Sequence, residues 1–309
     1  EIMLQQTRVQ TVIGYFNRFI ARFPEMETLA SAHEDEVLAL WSGLGYYSRA
    51  RNLQRSARLC IEQYGGTLPN THEALSALPG IGRSTAAAIL AQAHGQRQAI
   101  LDGNVRRVLA RLTGETEWPG KSAVERRLWT EAEARLPHAR MADYTQALMD
   151  FGATLCRPHK PRCTGCPLRS DCRASAENAV DRIPARKPSK ALPTRRTHML
   201  VLRDTESRVL LERRILKGVW QGLWSLPEVP DEGTAARLCE SLGIGAGMAL
   251  PSFTHAFSHY RLIVHPWLHL VREGSPQTFA TPERRWISRT EYDHLGLPRP
   301  VRTLLKSLP

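Results

Sequence analysis

Residues 78–112, LPGIGRSTAAAILAQAHGQRQAILDGNVRRVLARL, decide how this chain is read. Pro79, Gly80 and Gly82 mark a tight turn whose glycines supply left-handed or unhindered backbone. Arg83 to Ala93 is alanine-rich with no breaker, so a helix is expected after the turn. A turn of this kind leaves the amides of Ile81 to Ser84 pointing outward near a helix N-terminus, a ready site for a phosphate. Asp102 then opens a second helix with Gly103 and Asn104 beside it, and an aspartate there also makes a good N-cap. On its own the stretch is turn chemistry found in many proteins. The flanking sequence gives it meaning.

Upstream, Glu1 to Arg22 places Ile2, Leu4, Val9, Val12, Ile13, Phe16, Phe19 and Ile20 close to helical spacing, and Pro24 ends the run. Further helices are expected over His33–Leu44, Arg49–Tyr64 (closed by Gly65 and Gly66) and Thr71–Ala77. Downstream, Ser122–Leu136 and Met141–Leu155 continue the pattern, so residues 1–155 read as all-α. Asp181–Arg196, with three prolines, six Lys or Arg and one acid, reads as a linker whose charge can track a phosphate backbone. Beyond it the texture changes. Strands are expected at His198–Arg203, Arg208–Arg213, Leu223–Val229, Arg261–Val271 and Arg284–Ser288, and helices at Thr234–Leu242 and Arg299–Leu308. The second domain is therefore of mixed α/β type.

A chain of 309 residues favours two domains, and 42% hydrophobic with 23% charged residues describes a globular protein. A net charge of +12 suits a polyanion, with nucleic acid the first expectation. No apolar run is long enough to span a membrane, and no signal-peptide pattern opens the chain. Four of the six cysteines, Cys156, Cys163, Cys166 and Cys172, fall within 17 residues as C-x6-C-x2-C-x5-C. Without a secretory signal this points to metal rather than disulfides, and zinc and an iron–sulfur cluster both remain open on spacing alone. Cys60 and Cys239 sit on apolar helix faces and read as ordinary buried thiols.

The LPGIG hairpin, the DGNV run and the cysteine cluster at the end of a helical region together resemble the endonuclease III superfamily of DNA glycosylases. The resemblance covers residues 1–176. It implies a helical domain with a helix-hairpin-helix over about 71–94, a [4Fe–4S] cluster on the four cysteines of loop 156–172, and DNA phosphate held by Gly80, Ile81 and Gly82. Relatives that also cleave the strand carry a lysine where Ser84 stands, and that amine forms a Schiff base with the sugar. Arg83 cannot replace it because its guanidinium stays protonated. A monofunctional glycosylase is expected, with Ser84 among the DNA-contacting residues.

The opening run Glu1-Ile2-Met3-Leu4-Gln5-Gln6-Thr7 resembles the E-V-M-L-Q-Q-T run of MutY-type adenine DNA glycosylases. That likeness makes Glu1 the general acid, kept neutral by an apolar pocket, and Asp102 the ionised carboxylate that stabilises an oxocarbenium-like sugar. It makes Gln6 and Tyr46 the residues that fill or wedge the stack when the base is flipped, one of Tyr46 and Tyr47 being left to packing. A helix with a P-W run that precedes the glutamate in the family is absent here. The chain therefore reads as an N-terminally truncated fragment, with an open pocket or an inactive form expected. After the linker of 177–196, residues 197–309 resemble the family's Nudix-like domain, with Trp220 to Pro227 matching its W-x-G-L-w-x-x-P strand. The helix at 234–242 holds only Glu240, too few carboxylates for Mg²⁺ chemistry, so recognition rather than hydrolysis is expected. Phe257-Ser258-His259 resembles the F-S-H loop that contacts 8-oxoguanine.

The sum is a two-domain protein: an all-α glycosylase domain with its cluster module, then an α/β Nudix-like domain. The expected substrate is double-stranded DNA with adenine opposite 8-oxoguanine or guanine. The expected setting is a cytoplasmic, nucleoid-associated bacterial monomer with no membrane contact. The alternatives are an endonuclease III-like enzyme acting on another base and a non-catalytic iron–sulfur sensor of DNA damage.

Overall fold

The computed structural model describes residues 1–188, 191–216, 218–271 and 281–308. Positions 189–190 of the expected linker, and 217, 272–280 and 309 of the expected second domain, lie outside these described residues. The chain splits into two compact units, Glu1–Gln5 with Leu59–Ser189, and Gln6–Arg58 with Lys190–Pro309.

Helices α1 (Val9–Arg22), α2 (Met26–Ser31), α3 (Glu34–Trp41) and α4 (Ser48–Tyr64) come first in the chain. The continuous helix expected over residues 1–22 is broken. Ile2–Leu4 forms a single 3₁₀ turn, and Gln6 stands at φ 56°, a left-handed conformation that cannot continue a right-handed helix. The short α2, between Pro24 and His33, was not legible as a separate helix.

In the first unit, α5 (His72–Ala77) is capped by Thr71, whose Oγ1 accepts from the Ala74 amide at 3.3 Å. The hairpin then leads into α6 (Arg83–His94). Ala86, Ala87, Ala88 and Ala91 of α6 are buried, small side chains that admit close neighbours in the helical core. Helix α6 ends in a left-handed Gly95 whose N–H bonds the Ala91 carbonyl, a glycine C-cap. Helices α7 (Gly103–Thr113), α8 (Ser122–Ala134), α9 (Met141–Thr154) and α10 (Arg173–Ala176) complete this unit. Leu101, Val105, Leu109, Val124 and Leu128 form its core, each buried aliphatic side chain contributing about 1.5–3 kcal/mol. Gly152 of α9 lies so close to α7 that a Cβ there would stand 2.7 Å from the Cβ of Asn104.

In the second unit, α1–α3 and the start of α4 share a body with a mixed sheet. Its strands are β1 (Thr194–Arg203), β2 (Val209–Arg213), β3 (Trp224–Ser225), β4 (Glu228–Val229), β5 (Met248–Ala249), β6 (Phe253–Ala256), β7 (Arg261–Leu270) and β8 (Arg284–Ile287). The path runs β3-β2-β1-β7-β5, with β4 on β1, β6 on β7 and β8 on β2. Strands β1 and β7 pair in parallel along their length, Thr194 opposite Arg261 through Arg203 opposite Leu270. Side chains of β1 alternate between two cores, as the two-residue period of a strand requires. Met199 and Val201 join Leu304 and Leu305 of α12 (Arg299–Ser307), while Leu200 and Leu202 join Ala235 and Cys239 of α11 (Glu232–Ser241). The single strand expected over Leu223–Val229 is divided at Pro227 into β3 and β4, since proline donates no ladder bond. Helix α11 starts earlier than expected, at Asp231 as N-cap, and so carries Glu232 as well as Glu240. Trp224 Nε1 donates to Asp35 Oδ1 at 3.1 Å, and Ser42 Oγ donates to the Leu297 carbonyl at 3.1 Å, so α3 is bonded to the strand region.

Candidate active site

The hairpin is built as its sequence requires in all but one respect. Gly80 takes φ 79°, a conformation that strains any side-chain-bearing residue. Ile81 is buried, and its N–H is turned inward to the Leu78 carbonyl at 3.2 Å. The expectation that Ile81 presents an outward amide is thus corrected, because that amide closes the turn. The N-terminus of α6 has Gly82 as N-cap and no side-chain cap, which leaves its first amides for an external acceptor. A Cβ built on Gly82 meets nothing within 4 Å, so the approach to these amides is open.

Ser84 has a local task that the sequence did not reveal. Its Oγ accepts the Leu101 amide at 2.9 Å, across 17 residues, and so fixes the loop residue next to Asp102. Asp102 is the N-cap of α7, its Oδ1 accepting the Val105 amide at 2.8 Å. The candidate carboxylate is therefore held at both ends of its neighbourhood, by Ser84 before it and by α7 after it. One turn into α7, Arg107 donates to Asn104 Oδ1 at 2.9 Å and to the carbonyls of Gly152 and Cys156, both at 2.7 Å.

The segment carrying Glu1 is pinned to the hairpin by a residue that sequence reasoning passed over. Gln5 Nε2 donates to the Gly80 carbonyl at 3.1 Å and to Thr85 Oγ1 at 3.3 Å. Met3 is buried beneath the 3₁₀ turn. Glu1 itself is exposed.

The four cysteines Cys156, Cys163, Cys166 and Cys172 are free thiols that line one small cavity with Leu155, Pro161, Val180 and Arg111. Among the described residues no three His, Cys, Asp or Glu side chains converge as they would around a single metal ion. Four cysteine thiols around one cavity form an all-sulfur donor set, the ligand chemistry of zinc and iron–sulfur sites alike. Arg111 is buried and donates to the Ile183 and Arg157 carbonyls, both at 2.8 Å, and towards Cys156 Sγ at 3.4 Å. Burial pushes the Cys163 thiol up, the neighbouring Cys156 and Cys166 add to this, and Arg111 opposes it. Cys60 and Cys239 are buried, and burial raises both thiols.

The remaining candidates lie in the second unit. Tyr46 is 51% exposed and left-handed at φ 49°, between the positive-φ Gly43 and Gly45 and the start of α4. Tyr47 turns inward, its Oη donating to the Leu297 carbonyl at 3.1 Å, and burial raises its phenol. Tyr46 is thus the exposed aromatic and Tyr47 the buried one. Gln6 is exposed. Phe257, Ser258 and His259 form the turn between β6 and β7, closed by the Phe257 amide on the Tyr260 carbonyl at 2.9 Å. They line a cavity of about 440 Å³ together with Tyr46, Tyr47, Arg51, Trp220, His255 and Arg299. On α11, Asp231 is occupied as an N-cap, accepting the Thr234 amide at 2.7 Å. No described helix is long and apolar enough to cross a membrane.

Two protein families match the chain. Residues 1–134 match the model of the HhH-GPD superfamily of base excision DNA repair proteins, and residues 198–307 match that of the NUDIX domain. The adenine DNA glycosylase of Buchnera aphidicola subsp. Acyrthosiphon pisum (strain APS) is 35% identical over 309 residues, covering 99% of this chain and 88% of that protein. The Homo sapiens adenine DNA glycosylase is 33% identical, covering 94% of this chain and 64% of its own length. The solved structure of a thermostable thymine-DNA glycosylase is 30% identical with a TM-score of 0.51, over 57% of this chain and 81% of that one. A non-covalent endonuclease III–DNA complex, 24% identical with a TM-score of 0.50, covers 57% of this chain and 81% of that one and shares the helical fold.

Proposed function

The chain belongs to the adenine DNA glycosylase family, and from that premise we propose that it hydrolyses the N-glycosidic bond of adenine mispaired with 8-oxoguanine or guanine in double-stranded DNA. Two hydrogen bonds, one on each side of the hairpin, carry this reading: Gln5 ties the Glu1 segment to the hairpin carbonyl of Gly80, and Ser84 ties the hairpin helix to the loop of Asp102. Both candidate carboxylates are thereby referenced to the turn that would hold DNA phosphate.

The chemistry follows from what each group can do. Adenine leaves readily only after a ring nitrogen is protonated, and Glu1 would supply that proton. The sugar then develops positive charge, and Asp102, fixed at the N-cap of α7 with its second oxygen uncommitted among the described residues, would stabilise it. Water added at the sugar carbon completes hydrolysis, with Glu1 accepting its proton. Ser84 offers no amine, so a covalent imine with the sugar is not expected. Gln6 and Tyr46 would occupy the space the flipped base leaves, and the Phe257–His259 loop would read 8-oxoguanine. Cys156, Cys163, Cys166 and Cys172 would hold a [4Fe–4S] cluster, which when bound cross-links the loop through iron–thiolate bonds.

A glycosylase assay tests the proposal, with duplexes bearing adenine opposite 8-oxoguanine, adenine opposite guanine, and an oxidised pyrimidine side by side. Adenine release from the first two, lost in Glu1→Gln while duplex binding persists, is the expected result. Release of the oxidised pyrimidine instead of adenine would overturn it, and borohydride trapping of the wild-type chain on DNA would overturn the monofunctional assignment.

A further inference from the structure

At the tip of the β6–β7 turn Ser258 and His259 are both exposed, with Ser258 Oγ 3.4 Å from His259 Nδ1. The His259 ring meets Tyr260 edge-on at 4.8 Å and lies 6.3 Å from Phe257, so it shares the same aromatic cluster. What anchors the turn is Phe257, and its ring is held from several sides. The His255 ring meets it edge-on at 4.6 Å and 79°, the Trp220 ring lies at 5.1 Å and 60°, and Tyr260 lies beneath at 4.7 Å. Trp220 and His255 also touch, at 5.6 Å.

Trp220 is set in place at some strain. It stands at φ 62° in the β2–β3 connection, a conformation uncommon for a bulky residue, and such outliers concentrate at functional sites. Its surroundings enforce it. The Leu223 amide bonds the Trp220 carbonyl at 3.0 Å, the Arg214 guanidinium lies 5.8 Å from the indole, and Arg51 donates to the Gln221 carbonyl. At the left-handed Gly222 a Cβ would stand 2.8 Å from Glu34 Oε1, so the loop packs against the Glu34 side chain here. His255 is carried on β6, opposite Leu262 of β7.

We infer that Trp220 and His255 are positioning residues that seat Phe257 and so aim Ser258 and His259 into the cavity shared with Tyr46. The inference rests on the reading above, in which the Phe257–His259 loop recognises 8-oxoguanine. Neither residue needs to touch the lesion. Without the seat the turn keeps its backbone closure but loses the fixed direction of its tip, and the loss falls on discrimination.

The test is a binding ratio, which does not depend on turnover. The dissociation constant of the full chain is measured for duplexes with 2′-fluoro-deoxyadenosine, which resists excision, opposite guanine or 8-oxoguanine. Trp220→Ala and His255→Ala are expected to lower the preference for 8-oxoguanine by about fivefold each, the value of a lost aromatic pair. Trp220→Phe and His255→Phe, which keep an aromatic ring, are expected to restore most of it and keep the test valid where an alanine variant melts early. The Ser258→Ala, His259→Ala double variant serves as reference. If the reference loses preference while the alanine seat variants keep it, the seat is refuted and the recognition loop stands. If the reference keeps its preference, the recognition reading itself is refuted. If the phenylalanine variants bind as the alanine variants do, the aromatic seat is refuted.

Discussion

Replacing Ser84 by alanine removes the acceptor of the Leu101 amide, a 2.9 Å hydrogen bond, and nothing else of consequence in volume. Leu101 is 2% exposed, so water has little access to the amide left behind. An unsatisfied buried donor costs about 1–3 kcal/mol, and the partial exposure of Ser84 places this case towards the lower end, at about 1–2 kcal/mol. In a domain of this size that is a fall in melting temperature of about 2–6 °C. The functional effect should exceed the stability effect. The freed loop ends at Asp102, and displacement of a catalytic group by about 1 Å can cost about 100-fold in rate. The loss should appear in the single-turnover rate of adenine release rather than in KM, since the amides at the start of α6 are untouched. Ser84→Thr retains a hydroxyl and should recover the rate. Stopped-time excision assays and thermal melts measure both quantities. A Ser84→Ala chain that excises adenine at the wild-type rate and melts at the wild-type temperature would show that the tie is idle, and with it the proposed fixing of Asp102.

Gly80→Ala forces a side chain into φ 79° and should cost about 1–2 kcal/mol while weakening duplex affinity, read by thermal melt and fluorescence anisotropy; an unchanged dissociation constant would exclude the hairpin from the phosphate grip. Cys163→Ser in the holoprotein should abolish or reduce a broad visible absorbance, and a variant that keeps the full band would remove Cys163 from the ligand set. Burial, and then the Arg299 charge, lower the His255 imidazole below its ordinary range, so the folded state favours the neutral ring. Its stabilising contribution is therefore complete above about pH 6.5, the unfolded value, and is lost as pH falls towards the lowered folded value. The groups facing it are Arg299, Arg51, His259, Tyr46 and Tyr47, with no carboxylate among the described lining residues, so no nearby acid compensates a protonated ring. His255→Phe should accordingly lose less melting temperature than wild type between neutral and mildly acidic pH, and equal losses would refute this.

Short-range features were legible because their physics is local. Pro79-Gly80-Ile81-Gly82 encodes its turn through backbone freedom, Asp102 its cap through a bond three residues away, and the cysteine loop its cavity through spacing. The contacts that hold the site together were not legible. Gln5 reaches Gly80 across 75 residues and Arg111 reaches Ile183 across 72, and nothing in either neighbourhood marks the partner. Apolar periodicity also missed the break at Gln6, since it reports which face is buried and is blind to the sign of φ. The same blindness merged β3 and β4 into one strand across Pro227.

The two residues proposed for base displacement, Gln6 and Tyr46, are both non-glycines held at positive φ, as are the exposed Arg140, Lys160, Asn178 and Ser207, at about 1–2 kcal/mol apiece. What sets Gln6 and Tyr46 apart is one buried side chain that bonds next to both. Arg49 donates to Thr7 Oγ1 beside Gln6 and to the Gly45 carbonyl beside Tyr46, both at 3.1 Å. Its guanidinium lies 5.4 Å from the Trp41 ring and 5.6 Å from that of Tyr46. Burial lowers its pKa, the cost of taking a cation out of water. Arg49 thus links the segments of the two proposed wedge residues to each other before any DNA is present.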